Sequence, residues 1–299
     1  ALMLCGMPLF DSINHAFATV ATGGFSIKNN SIAYYDSAAI DGVLTFFMFV
    51  SGINFNLLYL LILRRFAQVF KNDELRVYVF VVLIGITLIS LNLFFTFAGS
   101  LGYSLRLAAF QTVSILTTTG FATAAFEGWP QLSKACLLIM MMLGGCAGST
   151  AGGIKIIRGL FVFKIGHREM KRLLHPRAVD TININGKPID DSVLRGVNAY
   201  ICAYLLLFFL SFIIISSYNF DLETTISAVA ACFGNVGPGL GSVGGMGNYS
   251  FWPPVAKIVL LIDMLFGRLE IFPVLLFFLP EVWRARKPVS KKANGSFSE

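Results

Sequence analysis

Three segments of this chain end in glycine-containing turns that could bind a cation through backbone carbonyl oxygens. They read ATGGFS, TTTGF and NVGPGLG, and they begin at Ala21, Thr117 and Asn235. Glycine permits the backbone angles and the close approach that such carbonyls need. An unpaired carbonyl is costly in an apolar medium, and a bound cation removes that cost. Several such turns around one axis would form a ring of oxygens able to replace the hydration shell of K⁺.

A short amphipathic segment precedes each turn, which predicts a helix that enters a membrane without crossing it. With their turns, these segments occupy residues 10–26, 103–123 and 220–241. Each predicted helix is about 12 residues long, whereas a helix needs about 20 apolar residues to cross the hydrocarbon core. The first segment begins with Asp11 and Ser12, which predict a helix N-cap. The partly negative C-terminal ends of these helices would face the turns and favour a cation.

Longer apolar segments alternate with these short helices, so the sequence predicts an all-α, polytopic membrane protein. Charged residues make up 13% of the 299 residues, about half their share in soluble domains. The long apolar segments lie at residues 43–63, 77–97, 135–163, 197–218 and 255–280. The pattern is therefore an internal repeat of long helix, short re-entrant helix, glycine turn and long helix.

The distribution of Lys and Arg predicts the orientation of the chain. Basic residues concentrate in loop 64–76, in segment 164–177 and in the C-terminal tail, whereas the opposite loops hold only isolated lysines. By the positive-inside bias, the basic segments are cytoplasmic and the turns dip in from the outer side. This topology also explains the net charge of +7, so nucleic-acid binding is not needed to account for it.

The third and fifth long segments are each interrupted. Residues 144–153 read GGCAGSTAGG, and such a run cannot hold a stiff helix because each Gly costs about 1 kcal/mol relative to Ala. Below the turns this segment would be a movable plug, although a purely structural kink is the alternative. A phosphate-binding loop is a poor fit, since Lys155 does not directly follow the last glycine. In the fifth segment, Arg268 is expensive in a membrane and should face a cavity or a partner, for which Glu270 and Asp263 are candidates.

These stretches resemble the TrkH/KtrB family of K⁺ transporters. The three turns are similar to the filter turns of the family's second, third and fourth repeats, and GGCAGSTAGGIKIIR is similar to its intramembrane loop. HPRAV (residues 175–179) and FGRLEIF (residues 266–272) resemble two further family stretches. The likeness covers nearly the whole chain in the right order. Because the family has four repeats, the chain is expected to be N-terminally truncated, without the first repeat.

The resemblance implies repeated units of helix, re-entrant pore helix, filter loop and helix around a pseudo-fourfold pore, with the first unit missing. The expected divisions are residues 1–66 for part of the second repeat, 75–165 for the third repeat with its gating loop, 166–191 for a cytoplasmic basic linker, 192–285 for the fourth repeat and 286–299 for a basic cytoplasmic tail.

The resemblance also implies roles for individual residues. The expected filter residues are Thr22, Gly23, Gly24, Thr118, Thr119, Gly120, Asn235, Val236 and Gly237. K⁺ is expected at Thr22, Gly23, Thr118, Thr119, Asn235 and Val236. The expected gating residues are Gly144, Gly145, Gly148, Ser149, Thr150, Gly152, Gly153, Lys155 and Arg268. Arg268 is expected beneath the filter, where its charge would oppose cation passage.

The function that the resemblance implies is K⁺ uptake across the bacterial cytoplasmic membrane through a K⁺-selective, gated, channel-like pore. The transported K⁺ would be the only cofactor, with none bound covalently. Na⁺-dependent, KtrB-like transport is the alternative. The implied partners are the lipid bilayer, a second copy in a homodimer and a TrkA-like nucleotide-binding regulatory subunit on the basic segment 164–177. HPRAV favours the TrkH type.

Two other classes of function fit the sequence less well. A membrane enzyme could use His175 or Asp263 on a lipid, but no paired carboxylates and no Cys/His/Ser cluster share one membrane layer. A tetrameric K⁺ channel needs one TVGYG-like loop per chain, whereas this chain holds three divergent turns. The protein is therefore not expected to be an enzyme.

Overall fold

A computed structural model describes residues 1–176 and 181–283 of the chain. The predicted tail at residues 286–299, the end of the predicted fourth repeat and most of HPRAV beyond Pro176 lie outside the described residues.

The described residues form helices α1 to α13 and one antiparallel hairpin. The helices are α1 Leu9–Val20, α2 Ala38–Ser51, α3 Phe55–Ile62, α4 Phe66–Phe70, α5 Asp73–Phe97, α6 Leu101–Leu116, α7 Gln131–Leu143, α8 Ile156–Leu174, α9 Asp191–Ser216, α10 Leu222–Gly234, α11 Pro254–Leu269, α12 Ile271–Phe277 and α13 Pro280–Trp283. Short 3₁₀ turns occupy Leu2–Cys5, Ser31–Tyr34, Phe126–Gly128 and Gly241–Val243. Between α8 and α9, strand β1 (Asn183–Ile184) pairs with β2 (Lys187–Pro188).

The long helices confirm that the chain is an all-α, polytopic membrane protein. Within the described residues, α5 with 25 residues and α9 with 26 residues are long and apolar enough to cross a membrane, and α2 and α3 add a third span if they count as one. Helix α5 covers the predicted span 77–97, and α9 covers the predicted span 197–218 except for its last two residues. The predicted interruptions are also present, because loop 144–155 separates α7 from α8 and Glu270 separates α11 from α12.

The predicted apolar span at residues 43–63 is broken rather than continuous, because α2 and α3 meet at a bend of 102°. The Asn54 side chain caps α3 by accepting a hydrogen bond from the Asn56 N–H at 2.8 Å. The backbone groups that the bend frees are paired with segment 144–153. The Cys146 N–H donates to the Gly52 carbonyl, and the Phe55 N–H donates to the Gly148 carbonyl, each at 3.0 Å. Partners inside the protein therefore allow a broken helix at this depth.

Helices α1, α6 and α10 are the three predicted short helices, with 12, 16 and 13 residues. Ser100 caps α6 and Asp221 caps α10 through side-chain oxygens. The predicted cap at Asp11 and Ser12 is wrong, since α1 begins at Leu9 after Pro8. Asp11 instead accepts a hydrogen bond from the Tyr35 hydroxyl. Burial and this contact together raise the pKa of Tyr35.

The two later short helices lie at the centre of the molecule. Helix α10 packs against α7, α9 and α11, and α6 packs against α2, α5 and α7. Small residues allow this approach in α10, where Ala228, Ala230 and Ala231 are fully buried. Close packing of small residues is the usual way in which helices associate in membranes. The core therefore surrounds the helices that carry the glycine turns.

The cap of α10 gives a testable prediction. The Asp221 carboxylate accepts the Thr224 N–H at 2.9 Å, and removal of such a cap costs about 1 kcal/mol. We expect Asp221→Ala to lower the thermal midpoint of the purified protein by a few degrees, whereas Asp221→Asn should keep most of it. An unchanged midpoint in the alanine variant would mean that the cap contributes nothing.

The same cap predicts a pH dependence. Burial alone would raise the pKa of Asp221, but the hydrogen bonds from Thr224 outweigh it and lower this pKa below its usual value. A carboxylate with a depressed folded-state pKa stabilises the fold above its unfolded pKa. The difference in midpoint between the wild type and Asp221→Ala should therefore shrink as the pH falls below about 4.

Candidate functional site

Each short helix ends in the same backbone geometry. One residue near the start of each turn has a left-handed conformation, with φ of 48° at Thr22, 55° at Thr118 and 57° at Asn235. The next N–H then donates to a helix carbonyl five residues earlier, at 2.7 to 2.9 Å. These pairs are Gly23 to Ala18, Thr119 to Ser114 and Val236 to Ala231. This pattern is the Schellman motif. Its recurrence in three dissimilar sequences supports the internal repeat.

Two residues after each left-handed residue lies a glycine with positive φ, at Gly24, Gly120 and Gly237. A Cβ built on Gly24 would lie 1.8 Å from the Thr119 carbonyl oxygen, and one on Gly120 would lie 2.0 Å from the Val236 carbonyl oxygen. The three turns are therefore neighbours in chain order, and each contact leaves no room for a side chain. A Cβ on Gly237 would meet nothing within 4 Å of it among the described residues.

The structure brings together all nine predicted filter residues. We name their three segments the Thr22 turn (residues 22–24), the Thr118 turn (residues 118–120) and the Asn235 turn (residues 235–237). A cavity of about 650 Å³ is lined by residues of all three turns and of the segments that follow them, including Gly24, Gly120 and Gly237. The turns therefore form the floor of an open vestibule.

Buried polar side chains in the short helices hold the chain that leaves each turn. The Ser114 hydroxyl donates to the Phe121 carbonyl at 2.7 Å, and the Ser227 hydroxyl accepts from the Leu240 N–H at 2.8 Å. In α1 the corresponding residue is His15, whose Nε2 is hydrogen-bonded to the Ser26 hydroxyl at 3.0 Å.

The other nitrogen of the His15 ring, Nδ1, donates to the Asp11 carbonyl at 2.7 Å. Sequence reasoning missed His15, Ser114 and Ser227. Each of these polar residues lies in an otherwise apolar helix shortly before a glycine turn, and this pattern in the sequence could have indicated a contact with the turn.

Residues 144–153, which we call the glycine-rich loop, lie against the C-terminal ends of all three short helices. The Thr150 hydroxyl donates to the Val20 carbonyl of α1 at 3.3 Å. The Gly152 N–H donates to the Thr118 hydroxyl after α6 at 2.7 Å. A Cβ on Gly152 would lie 2.5 Å from the Gly234 carbonyl oxygen of α10. The loop therefore packs directly beneath the turns, on the side opposite the vestibule.

The other predicted gating glycines shape this loop. A Cβ on Gly144 would lie 2.2 Å from the Gly152 carbonyl oxygen, and one on Gly153 would lie 3.0 Å from the Gly144 Cα, so the two ends of the loop touch. Gly145 faces Gly52 across the α2–α3 bend, and Gly148 faces Asn54. Ser149 donates its hydroxyl to the Cys146 carbonyl at 2.6 Å.

Two cations of the predicted gate bind carbonyls of the glycine-rich loop. The Arg268 Nη1 donates to the Thr150 carbonyl at 2.9 Å, and the Lys155 ammonium donates to the Ala151 carbonyl. Both side chains line a cavity of about 360 Å³ between the loop and the end of α11. The structure thus places Arg268 at the break in the fifth segment, in contact with the predicted plug.

Neither candidate partner of Arg268 pairs with it. Glu270 instead accepts from Arg158 of α8 at 2.9 Å, and Asp263 accepts from the Ser211 hydroxyl of α9 at 2.6 Å. Of the two possibilities for Arg268, the structure therefore has it facing a cavity and not paired with either candidate carboxylate. The reason is local, because Glu270 has a positive φ of 63° at the helix break, and Arg158 of the neighbouring helix α8 takes its carboxylate.

The predicted basic docking segment is partly engaged within the fold. Lys164 donates to the Asn183 carbonyl at 2.7 Å, and Arg168 pairs with Asp191 at 2.9 Å. This hydrogen bond to Asp191 raises the pKa of Arg168. The predicted boundary between residues 165 and 166 falls inside the continuous helix α8.

Comparison with known proteins gave consistent matches. A family model described as "TrkH: Cation transport protein" matches residues 4–285. The Trk system potassium uptake protein TrkH of Salmonella typhimurium is 41% identical over 286 residues, which cover 95% of this chain and 59% of that protein. The TrkH protein of Escherichia coli K12 is 40% identical over 287 residues, with the same coverage. This chain therefore spans 59% of the length of these curated relatives.

A solved structure matches as well. The crystal structure of the potassium transporter TrkH from Vibrio parahaemolyticus superimposes with a TM-score of 0.86 at 38% sequence identity. The match covers 95% of this chain and 61% of that chain.

Proposed function

The chain belongs to the TrkH family of cation transport proteins, and on this premise we propose that its protein takes up K⁺ through a selective, gated, channel-like pore. The observation that carries the proposal is the backbone geometry that recurs in the Thr22, Thr118 and Asn235 turns. Each turn has a left-handed residue and a glycine with positive φ, and two of the three glycines lie directly against a carbonyl of the next turn. A ring of backbone oxygens requires turns of this kind, close together. The relatives described above are named as potassium uptake proteins.

In this proposal the turns hold K⁺ through Thr22, Gly23, Thr118, Thr119, Asn235 and Val236. The short helices add to the selectivity for cations, because their C-terminal ends carry a partial negative charge and point at the turns. The Schellman motif supports this assignment: it uses some of the last helix carbonyls internally and leaves those of the turn itself for an ion.

The glycine-rich loop acts as the gate in the proposed pore. It touches the ends of all three short helices, so an ion leaving the turns would meet it first. Arg268 and Lys155 place two positive charges on the loop or beside it, and these oppose a cation in the cavity below. Opening would require the loop and these charges to move away from the turns.

Two alternatives have less support. The relatives described above are Trk system proteins, which favours TrkH-type uptake over Na⁺-dependent, KtrB-like transport. An enzyme that used His175 or Asp263 would need further catalytic groups beside that side chain. His175 instead follows the end of α8, and Asp263 binds Ser211 inside the α9–α11 interface.

The surroundings of the pore are also part of the proposal. The protein would lie in the bacterial cytoplasmic membrane as a homodimer, with the vestibule outside and the basic segments inside. A TrkA-like regulatory subunit would dock at the cytoplasmic end of α8, where Met170, Leu173 and Leu174 are exposed. Exposed apolar side chains on a charged helix are typical of a protein contact.

Uptake of Rb⁺ into proteoliposomes containing the full-length protein tests this function. We expect external K⁺ to block Rb⁺ uptake at concentrations where Na⁺ does not. Equal block by K⁺ and Na⁺ would contradict a K⁺-selective ring. Absence of uptake, even with a regulatory subunit present and the glycine-rich loop shortened, would overturn the transporter assignment itself.

A further inference from the structure

Glu74, in the first turn of α5, is buried against the glycine-rich loop. Glu74 is only 5% exposed. Its Oε1 accepts a hydrogen bond from the Ala147 N–H at 2.6 Å. A buried carboxylate is costly unless it is hydrogen-bonded or paired. If the loop moved away from Glu74, this carboxylate would lose its hydrogen bond from Ala147, and the cost of its burial therefore favours the observed position of the loop.

The electrostatic surroundings of Glu74 also favour this position of the loop. The carboxylate lies at the N-terminus of α5, where the helix dipole favours negative charge. Lys155, at the end of the loop, is close enough to attract it. Among the described residues, Glu74 has the one carboxylate that is hydrogen-bonded to the loop, on the side away from the turns.

A second set of contacts connects Glu74 with the cytoplasmic hairpin β1–β2. The Asp73 N–H donates to the Asn185 side-chain oxygen at 2.7 Å, and the Asn185 N–H donates back to the Asp73 carboxylate at 2.9 Å. Lys164 also lies 3.7 Å from the Asp73 carboxylate. The hairpin is therefore fastened by two reciprocal hydrogen bonds to the residue that precedes Glu74.

We propose that Glu74 is a positioning residue that holds the glycine-rich loop against the turns, and that the hairpin β1–β2 controls Glu74 through Asp73. Glu74 then adds a contact from α5 to the contacts that the loop already makes with the ends of the short helices, the α2–α3 bend and Arg268. Displacement of the hairpin on the cytoplasmic side moves the first turn of α5 and loosens the contact from Glu74. The inference rests on the proposed function in one respect, that release of the loop opens the pore.

Cys146 reports the position of the loop without any measurement of transport. It precedes Ala147, is fully buried and is a free thiol. In full-length protein in which every other cysteine, including those at positions 5, 136, 202 and 232, is replaced by alanine, N-ethylmaleimide should label Cys146 slowly. Loss of a buried, charged hydrogen bond should raise that rate by about tenfold in Glu74→Ala.

Two further variants separate positioning from a general loss of packing. Glu74→Gln keeps an oxygen at the same reach but loses the charge, so it should label more slowly than Glu74→Ala and faster than the wild type. Glu74→Asp keeps the charge, withdraws it by one methylene and should label fast. Glu223→Ala is the matched control, because Glu223 occupies the first turn of α10 and pairs with Lys134 rather than with the loop.

The hairpin part of the proposal has its own test. Asn185→Ala should raise Cys146 labelling by about threefold, and Glu74→Ala with Asn185→Ala should label no faster than Glu74→Ala alone. Such non-additivity is expected when two residues act along one connection. Fully additive effects would overturn the role of the hairpin.

The labelling result stands apart from the transport result. Wild-type labelling in Glu74→Ala and Glu74→Asp, or equally fast labelling in Glu74→Gln, would overturn the positioning role whatever the flux. Faster labelling together with a raised Rb⁺ flux and unchanged K⁺ over Na⁺ preference is the expected result. Faster labelling without any Rb⁺ flux would support the positioning role and contradict the proposed function.

Discussion

Gly120→Ser should remove most of the discrimination between K⁺ and Na⁺. A Cβ at Gly120 would lie 2.0 Å from the Val236 carbonyl oxygen, so the Asn235 turn must move to admit it. The backbone at Gly120 also has a φ of 85°, and a left-handed conformation costs a residue with a side chain about 1–2 kcal/mol. Displacement of a carbonyl from the ring weakens the oxygen coordination that favours K⁺ over Na⁺. A loss of about 1.4 kcal/mol in that preference corresponds to a roughly tenfold fall in selectivity, which is the change that we expect.

The ratio of K⁺ to Na⁺ needed to block Rb⁺ uptake measures this change. Gly102→Ala is the control, since Gly102 lies in α6, the helix that precedes the Thr118 turn, and a Cβ there would meet nothing within 4 Å. The control should keep the wild-type ratio. If Gly120→Ser kept that ratio as well, in a protein that still transports Rb⁺, the assignment of the Thr118 turn to the ion pathway would be wrong.

Arg268→Ala should raise the Rb⁺ flux and leave ion preference unchanged. The substitution removes a hydrogen bond to the Thr150 carbonyl and a positive charge beneath the turns. At an effective dielectric constant of about 20, a unit charge about 8 Å away opposes K⁺ by about 2 kcal/mol. This energy corresponds to roughly a thirtyfold change in rate, which sets the upper end of the expected increase.

Arg268→Lys provides the control for charge. Lysine keeps the positive charge but lacks the planar fork that reaches Thr150, so its flux should rise much less than that of the alanine variant. A flux in Arg268→Ala that equals or falls below the wild-type flux would remove Arg268 from the gate. A changed preference between K⁺ and Na⁺ would instead place Arg268 in the selective part of the path.

The turns were predictable from sequence because their chemistry depends on backbone conformation. Gly24 and Gly120 have positive φ and also leave no space for a side chain, so the residue type itself carries the signal. The break at residues 144–153 was predictable for the same reason. The predicted spans at residues 77–97 and 197–218 followed from apolar length alone, and α5 and α9 confirm them.

Contacts between distant segments were not predictable in this way. The bend between α2 and α3 depends on backbone partners supplied by the glycine-rich loop, about 90 residues later, and composition alone cannot show such partners. Glu74 lies in the first turn of a long apolar helix, where sequence reasoning assigns an acidic residue to the helix dipole. The hydrogen bond between Ala147 and Glu74 forms only in the folded chain. The same is true of the ion pair of Glu270 with Arg158, which replaces a pair with Arg268.

The most direct test of a carbonyl ring formed by the three turns is a crystal structure of the full-length protein in Rb⁺, with anomalous scattering recorded. We expect Rb⁺ density on the axis between the Thr22, Thr118 and Asn235 turns. An excess of K⁺ should displace this density, and an excess of Na⁺ should not. Absence of density at that position in a Rb⁺-transporting protein, or equal displacement by Na⁺, would contradict a carbonyl ring formed by these turns.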